Sequence, residues 1–406
     1  MDVIEYILSK NRNDYQKDNF DDFIDKTRFF FDISAIHIAG TNGKGSAATF
    51  LKDIYVSNGY KVGLFTSPDD ICEMIKINDE PISVEYIEKI VNEYKKLIEK
   101  YDLSTFEIET FVALNYFKDQ KVDIAIIECG MGGELDATNI FTPVLSVITS
   151  IDIEHSEFLG VSMSAIALHK AGIIKNEIPT LIGKIEGDAL DVIVDRCKEE
   201  KSKLYILDRY HHLSIDNGQA HFSYRPYESL SIDSPAEYRV EDACLAIEST
   251  NILKNTFPIT EENLLKGLLR SKLKCRFEFG KGQPQIVLDG AHNPHGMKQL
   301  RMDCDRNFAG RNIHVVFASF RDKNIALMLP EISLIGDVHL TTFDNGRARD
   351  DSDYFLYLED YSYNADYKEL LNSLINEYPE DIILVTGSLT FTFEVRKYLK
   401  EKGFYD

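Results

Sequence analysis

Three kinds of residue in this chain stand where they could move a phosphate. They are a lysine in a glycine-rich turn, carboxylates at strand ends, and histidines just beyond strands. The lysine is Lys44, within Ala39-Gly40-Thr41-Asn42-Gly43-Lys44-Gly45-Ser46. Glycines let backbone N–H groups converge on a polyphosphate, a helix start adds partial positive charge, and Lys44 adds a full one. The common P-loop places Ser or Thr directly after its lysine; here Gly45 precedes Ser46. A glycine turn with a solvated lysine is the bland alternative. The whole octet follows the apolar run Ile33-Ser34-Ala35-Ile36-His37-Ile38 and opens a helix-like stretch from Ser46 to about Ser57. That context predicts phosphate binding.

Glu128 closes the run Val122-Asp123-Ile124-Ala125-Ile126-Ile127 and precedes glycines 130, 132 and 133. A carboxylate at the C-terminal end of a buried parallel strand faces the crevice where open α/β sheets take ligands. It reads as a metal or phosphate-site residue, against a capped loop glutamate. His155 follows a strand at Leu145–Ser150 and, by itself, reads as a surface or helix-capping histidine; its position after a strand, in phase with Glu128, favours a neutral imidazole ligand at the same edge. Ser67, in Phe65-Thr66-Ser67-Pro68, brings a hydroxyl of the kind an Mg²⁺ shell uses. Serine before proline reads first as a turn. Lys170 sits in an apolar helix, Ile166-Ala167-Leu168-His169-Lys170-Ala171. Pattern alone favours a snorkelling lysine there over one with a shifted pKa. Asp289 and His292 stand at a second strand-to-helix turn, where Asn293-Pro294 makes a good N-cap and N1 pair. Thr386-Gly387-Ser388 ends another strand.

The elements that must position these residues alternate. Strands are expected at Ala35–Ala39, Val62–Thr66, Val122–Cys129, Leu145–Ser150 and Pro179–Gly183. Helices lie between them at Val84–Lys100, Glu107–Lys118 and Ser162–Ile174. Short apolar strands separated by helices predict a mostly parallel sheet covered on both faces. Leu204–Leu207 and His221–Tyr224, with Asp216-Asn217-Gly218 as a turn, predict a small antiparallel patch. Helices at Ala236–Leu253 and Thr260–Leu269 follow. A second strand–helix alternation then begins near Arg276: Gln285–Leu288, Pro294–Asp303, Ile313–Ser319, Val338–Thr342, Ile382–Thr386 and Thr392–Lys400. The expected fold is α/β, with a P-loop, phosphate-binding domain over 1–272 and a Rossmann-like α/β domain over 273–406.

A chain of 406 residues favours two domains. Its net charge of −22 argues against a nucleic-acid or anionic-membrane binder, while leaving room for a local basic site. The six cysteines form no Cys-x-x-Cys pair, which argues against a zinc site. The N-terminus has no signal-peptide core and no apolar run approaches membrane-spanning length, so the cytoplasm is expected.

Taken together, these motifs resemble the folylpolyglutamate synthase and dihydrofolate synthase family of Mur-ligase-like, ATP-dependent amide ligases. The resemblance spans the chain. Its carriers are Ala39–Ser46, Thr66-Ser67-Pro68, Phe106-Glu107, Glu128 to Asn139, Ile148–His155, Lys170–Lys175, Arg276-Phe277-Glu278, Leu288–Pro294 and Gly387-Ser388-Leu389. It implies that Gly40, Thr41, Asn42, Gly43, Lys44, Gly45 and Ser46 hold ATP, joined by Asp242, Arg276 and Asp289. Ser67, Glu128 and His155 match Mg²⁺ positions. Lys170 matches a lysine carbamylated by CO₂ that serves a second metal, which reverses the pattern-only reading. Lys44, Lys170 and His292 are the implied catalytic residues, and His292 and Ser388 would help place the substrates. The implied partners are small-molecule substrates, namely reduced folate, L-glutamate and ATP, and the chain is expected to be a monomer.

The chain also departs from the family's pattern. Asp69-Asp70 stands for His-Leu, Glu134 for Arg, and Glu154 for Asp beside His155. Arg239 replaces Gln, Asp242 replaces Asn, and Cys275 replaces Gly. Two other readings stay open: a Mur-like ligase acting on another carboxylate, and a nucleotide-binding regulatory homologue.

Overall fold

The computed structural model describes residues 2–10, 17–67, 71–153, 159–160 and 162–405. Internal contacts divide the chain into two units. The first is Met1–Ser214, His221–Ile232 and Arg239–Ser271; the second is Ile215–Ala220, Asp233–Tyr238 and Lys272–Asp406.

In the first unit the strands are β1 (Ala35–Ala39), β2 (Val62–Phe65), β3 (Ile75–Ile77), β4 (Glu80–Pro81), β5 (Ile124–Glu128), β6 (Leu145–Ile148), β7 (Thr180–Ile182) and β8 (Leu204–Ile206). Among the described residues they form an eight-stranded sheet in the order β4-β3-β2-β5-β1-β6-β7-β8. The run β2-β5-β1-β6-β7-β8 is parallel, and β3 and β4 add an antiparallel edge. Every residue of β1 and β5 is buried, as expected of parallel strands covered on both faces. Phe111 and Leu114 pack in one apolar cluster with Ala125 and Ile127, while Ile166 and Ile193 pack in another with Ala39 and Ile148.

Leu204–Leu207 was expected in the antiparallel patch, but Leu204–Ile206 pairs in parallel with Thr180–Ile182. The cause is the helix Gly187–Glu199, a crossover that returns the chain in the same direction. The patch itself is a three-stranded meander of β9 (His211–Asp216), β10 (Gln219–Tyr224) and β11 (Tyr227–Ile232). Asn217 and Gly218 take φ of 49° and 76°, the left-handed pair that a two-residue hairpin requires.

The second unit carries β12 (Glu278–Phe279), β13 (Gln285–Leu288), β14 (Ile313–Phe317), β15 (Asp337–Thr341), β16 (Ser362–Asn364) and β17 (Ile382–Thr386), in the order β12-β13-β17-β14-β15-β16. Strand β12 is antiparallel to β13 and the rest are parallel. Successive residues feed opposite clusters. Val287, Val315 and Leu384 join Met297 and Leu329, whereas Ile286, Val316 and Val385 join Leu371 and Phe391. That period of two buries both faces under helices.

Candidate active site

The first unit gathers its chemistry at the C-terminal edge of four adjacent strands, β2, β5, β1 and β6. The glycine-rich turn leaves β1 and enters the helix Lys44–Ser57, which starts two residues earlier than the sequence suggested. Its N-cap is Gly43, at φ 85°, and no side chain caps this end. The first-turn N–H groups therefore point outward without an intrahelical acceptor, as an anion site requires. Lys44 Nζ donates to the carbonyl of Gly40 at 2.9 Å, folding the ammonium over its own turn.

The segment after β6 holds this turn in shape. Thr41 N–H donates to Ser150 O at 2.9 Å, Asn42 N–H donates to Ser150 Oγ at 2.9 Å, and Thr149 Oγ1 donates to Asn42 O at 2.5 Å. A Cβ on Gly40 would lie 1.9 Å from Thr149 Oγ1, so only glycine allows that approach. Thr149 and Ser150 lie in the stretch Ile148–His155 that carries the family resemblance, although no role was expected of either.

Glu128 ends β5 beside the turn. Its carboxylate Oε1 accepts from Ser67 Oγ at 3.3 Å, and Oε2 lies 3.2 Å from where a Cβ on Gly45 would be. The glycine after Lys44 thus leaves room for Glu128. Asp242, on the helix Glu237–Leu253, reaches the same turn: a Cβ on Gly43 would lie 2.3 Å from its Oδ1. Lys170, in the last turn of the helix Met163–Ala171, is fully buried. A snorkelling lysine keeps its ammonium in water, which this burial does not allow. His155 lies outside the described residues, as do Asp69 and Glu154.

The second unit builds its own cluster after β13. Asp289 Oδ2 accepts from Tyr238 Oη at 2.7 Å and Phe277 N–H at 2.9 Å; Oδ1 accepts from Ala291 N–H at 2.9 Å. Burial pushes the Asp289 carboxyl up, opposed by the Tyr238 hydrogen bond and by Arg276. A Cβ on Gly290 would lie 3.2 Å from Arg276 Nη1, which places the guanidinium over this turn. His292 Nδ1–H donates to Gly290 O at 2.9 Å, which fixes the ring's tautomer. The third strand end is adjacent, since Gly387 N–H donates to Ala291 O at 3.1 Å. Ser388 is 2 % exposed and serves as N-cap of the helix Leu389–Glu401.

Residues 38–234 match the Mur ligase middle domain, and residues 275–389 match the Mur ligase glutamate ligase domain. The chain is 34% identical to the dihydrofolate synthase/folylpolyglutamate synthase of Bacillus subtilis over 402 residues, covering 91% of each chain. It is 31% identical to the folylpolyglutamate synthase of Lacticaseibacillus casei, covering 90% of this chain and 89% of that one. The chain belongs to the folylpolyglutamate synthase and dihydrofolate synthase family. The solved apo form of the L. casei enzyme superposes with a TM-score of 0.86 at 28% identity, over 98% of this chain and 100% of that one. A folylpolyglutamate synthase complex with AMPPCP and folate superposes equally well, at 0.86 and 28% identity.

The departures from the family pattern acquire physical descriptions. Cys275 replaces glycine and keeps a left-handed backbone, φ 56°, as does Phe277 at 51°. Arg276 is thus carried between two strained residues. Arg239 is buried; its Nη2 donates to Ser271 O at 3.1 Å and its guanidinium stacks over Phe50 at 5.3 Å. Glu134 is exposed, with its carboxylate 3.9 Å from His169 Nδ1.

Proposed function

We propose that this protein is a tetrahydrofolate:L-glutamate γ-ligase that forms ADP, with dihydrofolate synthase activity open to test. The observation that carries the reading is the Glu128 carboxylate set between the Ser67 hydroxyl and the glycine-rich turn. Family membership supports ATP-dependent glutamate ligation, and a family relative binds both AMPPCP and folate.

A carboxylate acylates an amine poorly because hydroxide is a bad leaving group. The folate γ-carboxylate attacks the γ-phosphate of ATP, the bond to the β-phosphate oxygen breaks, and ADP leaves. The L-glutamate amine then attacks the acyl phosphate, forming the amide and releasing phosphate. Such transfer needs positioning and charge neutralisation more than covalent help. In the proposed roles, the first-turn N–H groups and Lys44 hold the phosphates. Arg276, Asp289 and His292 take nucleotide- and substrate-binding roles, with Ser388 helping to place the amino acid.

The oxygen donors at this edge suit Mg²⁺. Glu128 and Ser67 are adjacent oxygen ligands of the type this ion takes, and His155 and a carbamylated Lys170 would complete two sites. Bound there, Mg²⁺ would neutralise charge on the transferring phosphoryl group. The full burial of Lys170 is compatible with carbamylation, because the carbamate would supply the negative charge that a cation at this edge can pair. We further propose a cytoplasmic monomer; no helix of the described residues is long and apolar enough to cross a membrane.

The test is ADP release with L-glutamate and a panel of acceptors. Turnover with tetrahydrofolate alone makes a monofunctional γ-ligase, and turnover with dihydropteroate as well makes it bifunctional. Absence of turnover with every folate, with ATP still bound, sinks the reading.

A further inference from the structure

His37 is an anomaly in its own strand. It sits in the middle of β1, fully buried, where a parallel strand covered on both faces favours apolar side chains. Its ring points into a polar chain. His37 Nε2 lies 2.8 Å from Thr138 Oγ1 and 3.1 Å from Cys129 Sγ. Thr138 Oγ1 lies 2.5 Å from Asp136 Oδ1. A hydroxyl has one proton, and the carboxylate is the stronger acceptor. Thr138 therefore donates to Asp136 and accepts from His37 Nε2–H, so the chain runs one way, from the sheet to the carboxylate.

Asp136 spends this anchorage on the loop after Glu128. Its Oδ2 accepts from Met131 N–H at 2.8 Å, and its Oδ1 accepts from Thr138 N–H at 3.0 Å. The loop it shapes is pressed against the end of the helix that carries Lys170. Glu134 N–H donates to His169 O at 2.8 Å, and a Cβ on Gly133 would lie 3.0 Å from Lys170 O. A Cβ on Gly172 would lie 2.3 Å from Glu134 Cα. One buried hydrogen-bonded chain thus ties the middle of β1 to the loop that joins Glu128 to Lys170.

We propose that His37 and Thr138 are positioning residues, which fix the loop 130–134 and through it the placement of Glu128 relative to Lys170. The proposal rests on the reading of those two as metal-holding groups. Residues that orient metal ligands typically change metal affinity or activity by about 10- to 100-fold when removed.

Calorimetry of ATP binding by the full chain, with and without Mg²⁺, tests it. Thr138→Val keeps the shape and deletes the hydroxyl. The expected result is about a tenfold loss of ATP affinity in Mg²⁺, with affinity in its absence unchanged. Thr138→Ser restores the hydroxyl and should restore the affinity. His37→Gln keeps an N–H donor and should stay near wild type, whereas His37→Leu should behave as Thr138→Val. Should Thr138→Val not fold, the two His37 variants carry the same contrast. A folded Thr138→Val or His37→Leu with wild-type affinity in Mg²⁺ overturns the proposal. If the wild-type protein binds ATP and Mg²⁺ but extends no folate, the functional reading fails, and the binding series still decides the network.

Discussion

Two strand-to-helix turns, one in each unit, do opposite things with the same topology. After β1, the helix Lys44–Ser57 begins at Gly43 with no side-chain cap, so its first-turn donors stay available. After β13, the helix Pro294–Asn307 begins at Asn293, whose Oδ1 accepts from Gly296 N–H at 2.8 Å, with Pro294 in the first turn. The first end is open to a phosphate, and the second is closed by its own chain. The open end is also the one with Glu128 beside it. A strand end followed by a helix is therefore not evidence of an anion site until its cap is known.

The buried carboxylates of the two units differ likewise. Asp289 is surrounded by donors that oppose its desolvation. Glu109, on the helix Thr105–Asp119 of the first unit, has its carboxyl pushed up to about 8 by burial.

The largest expected effect strikes the open turn. Glu128→Gln keeps the shape and removes the charge; kcat for ligation should fall by about 100-fold or more, with the melting temperature little changed. Steady-state kinetics and a melting curve check both. Near-wild-type kcat would mean the carboxylate is only a partner of Ser67. Next comes Gly43→Ala. It forces a left-handed φ of 85° on alanine and drives a Cβ to 2.3 Å from Asp242 Oδ1. Nucleotide affinity should drop by about tenfold, since a small misplacement of binding groups is costly; equilibrium titration measures it.

The third prediction concerns pH. Glu109 has a folded-state pKa of about 8 against an ordinary 4.5. Between those values the folded state holds a proton that the unfolded state has lost, so stability from this group declines as pH rises from about 4.5 to 8. Glu109→Gln should flatten that decline in melting temperature; an unchanged slope would show that Glu109 does not cause it. The smallest effect belongs to the closed turn. Asn293→Ala should cost about 1 kcal/mol of stability and leave nucleotide affinity within error. A large loss of affinity would erase the distinction between the two turns.

The strands that carry the site were legible because buried parallel strands are short apolar runs, as at Ala35–Ala39 and Gln285–Leu288. The turn 39–46 was legible because its glycines have no common structural substitute. The parallel partner of Leu204–Ile206 is not legible from its own residues, because a strand's partner depends on the crossover before it, here the helix Gly187–Glu199. The clamp of Thr149 and Ser150 on the turn, and the chain from His37 to Asp136, join residues about a hundred positions apart. No local pattern encodes such contacts. His37 did leave a trace, as a histidine inside an apolar run, but a lone buried histidine is more often structural than not.

Oxygen transfer tests the central claim most directly. The acceptor is tetrahydrofolate carrying ¹⁸O in its γ-carboxylate, incubated with ATP, Mg²⁺ and L-glutamate, and the released phosphate is analysed by mass spectrometry. Passage through an acyl phosphate predicts one ¹⁸O in each phosphate released, matched by one new γ-glutamyl amide. Amide formation with unlabelled phosphate would contradict the account.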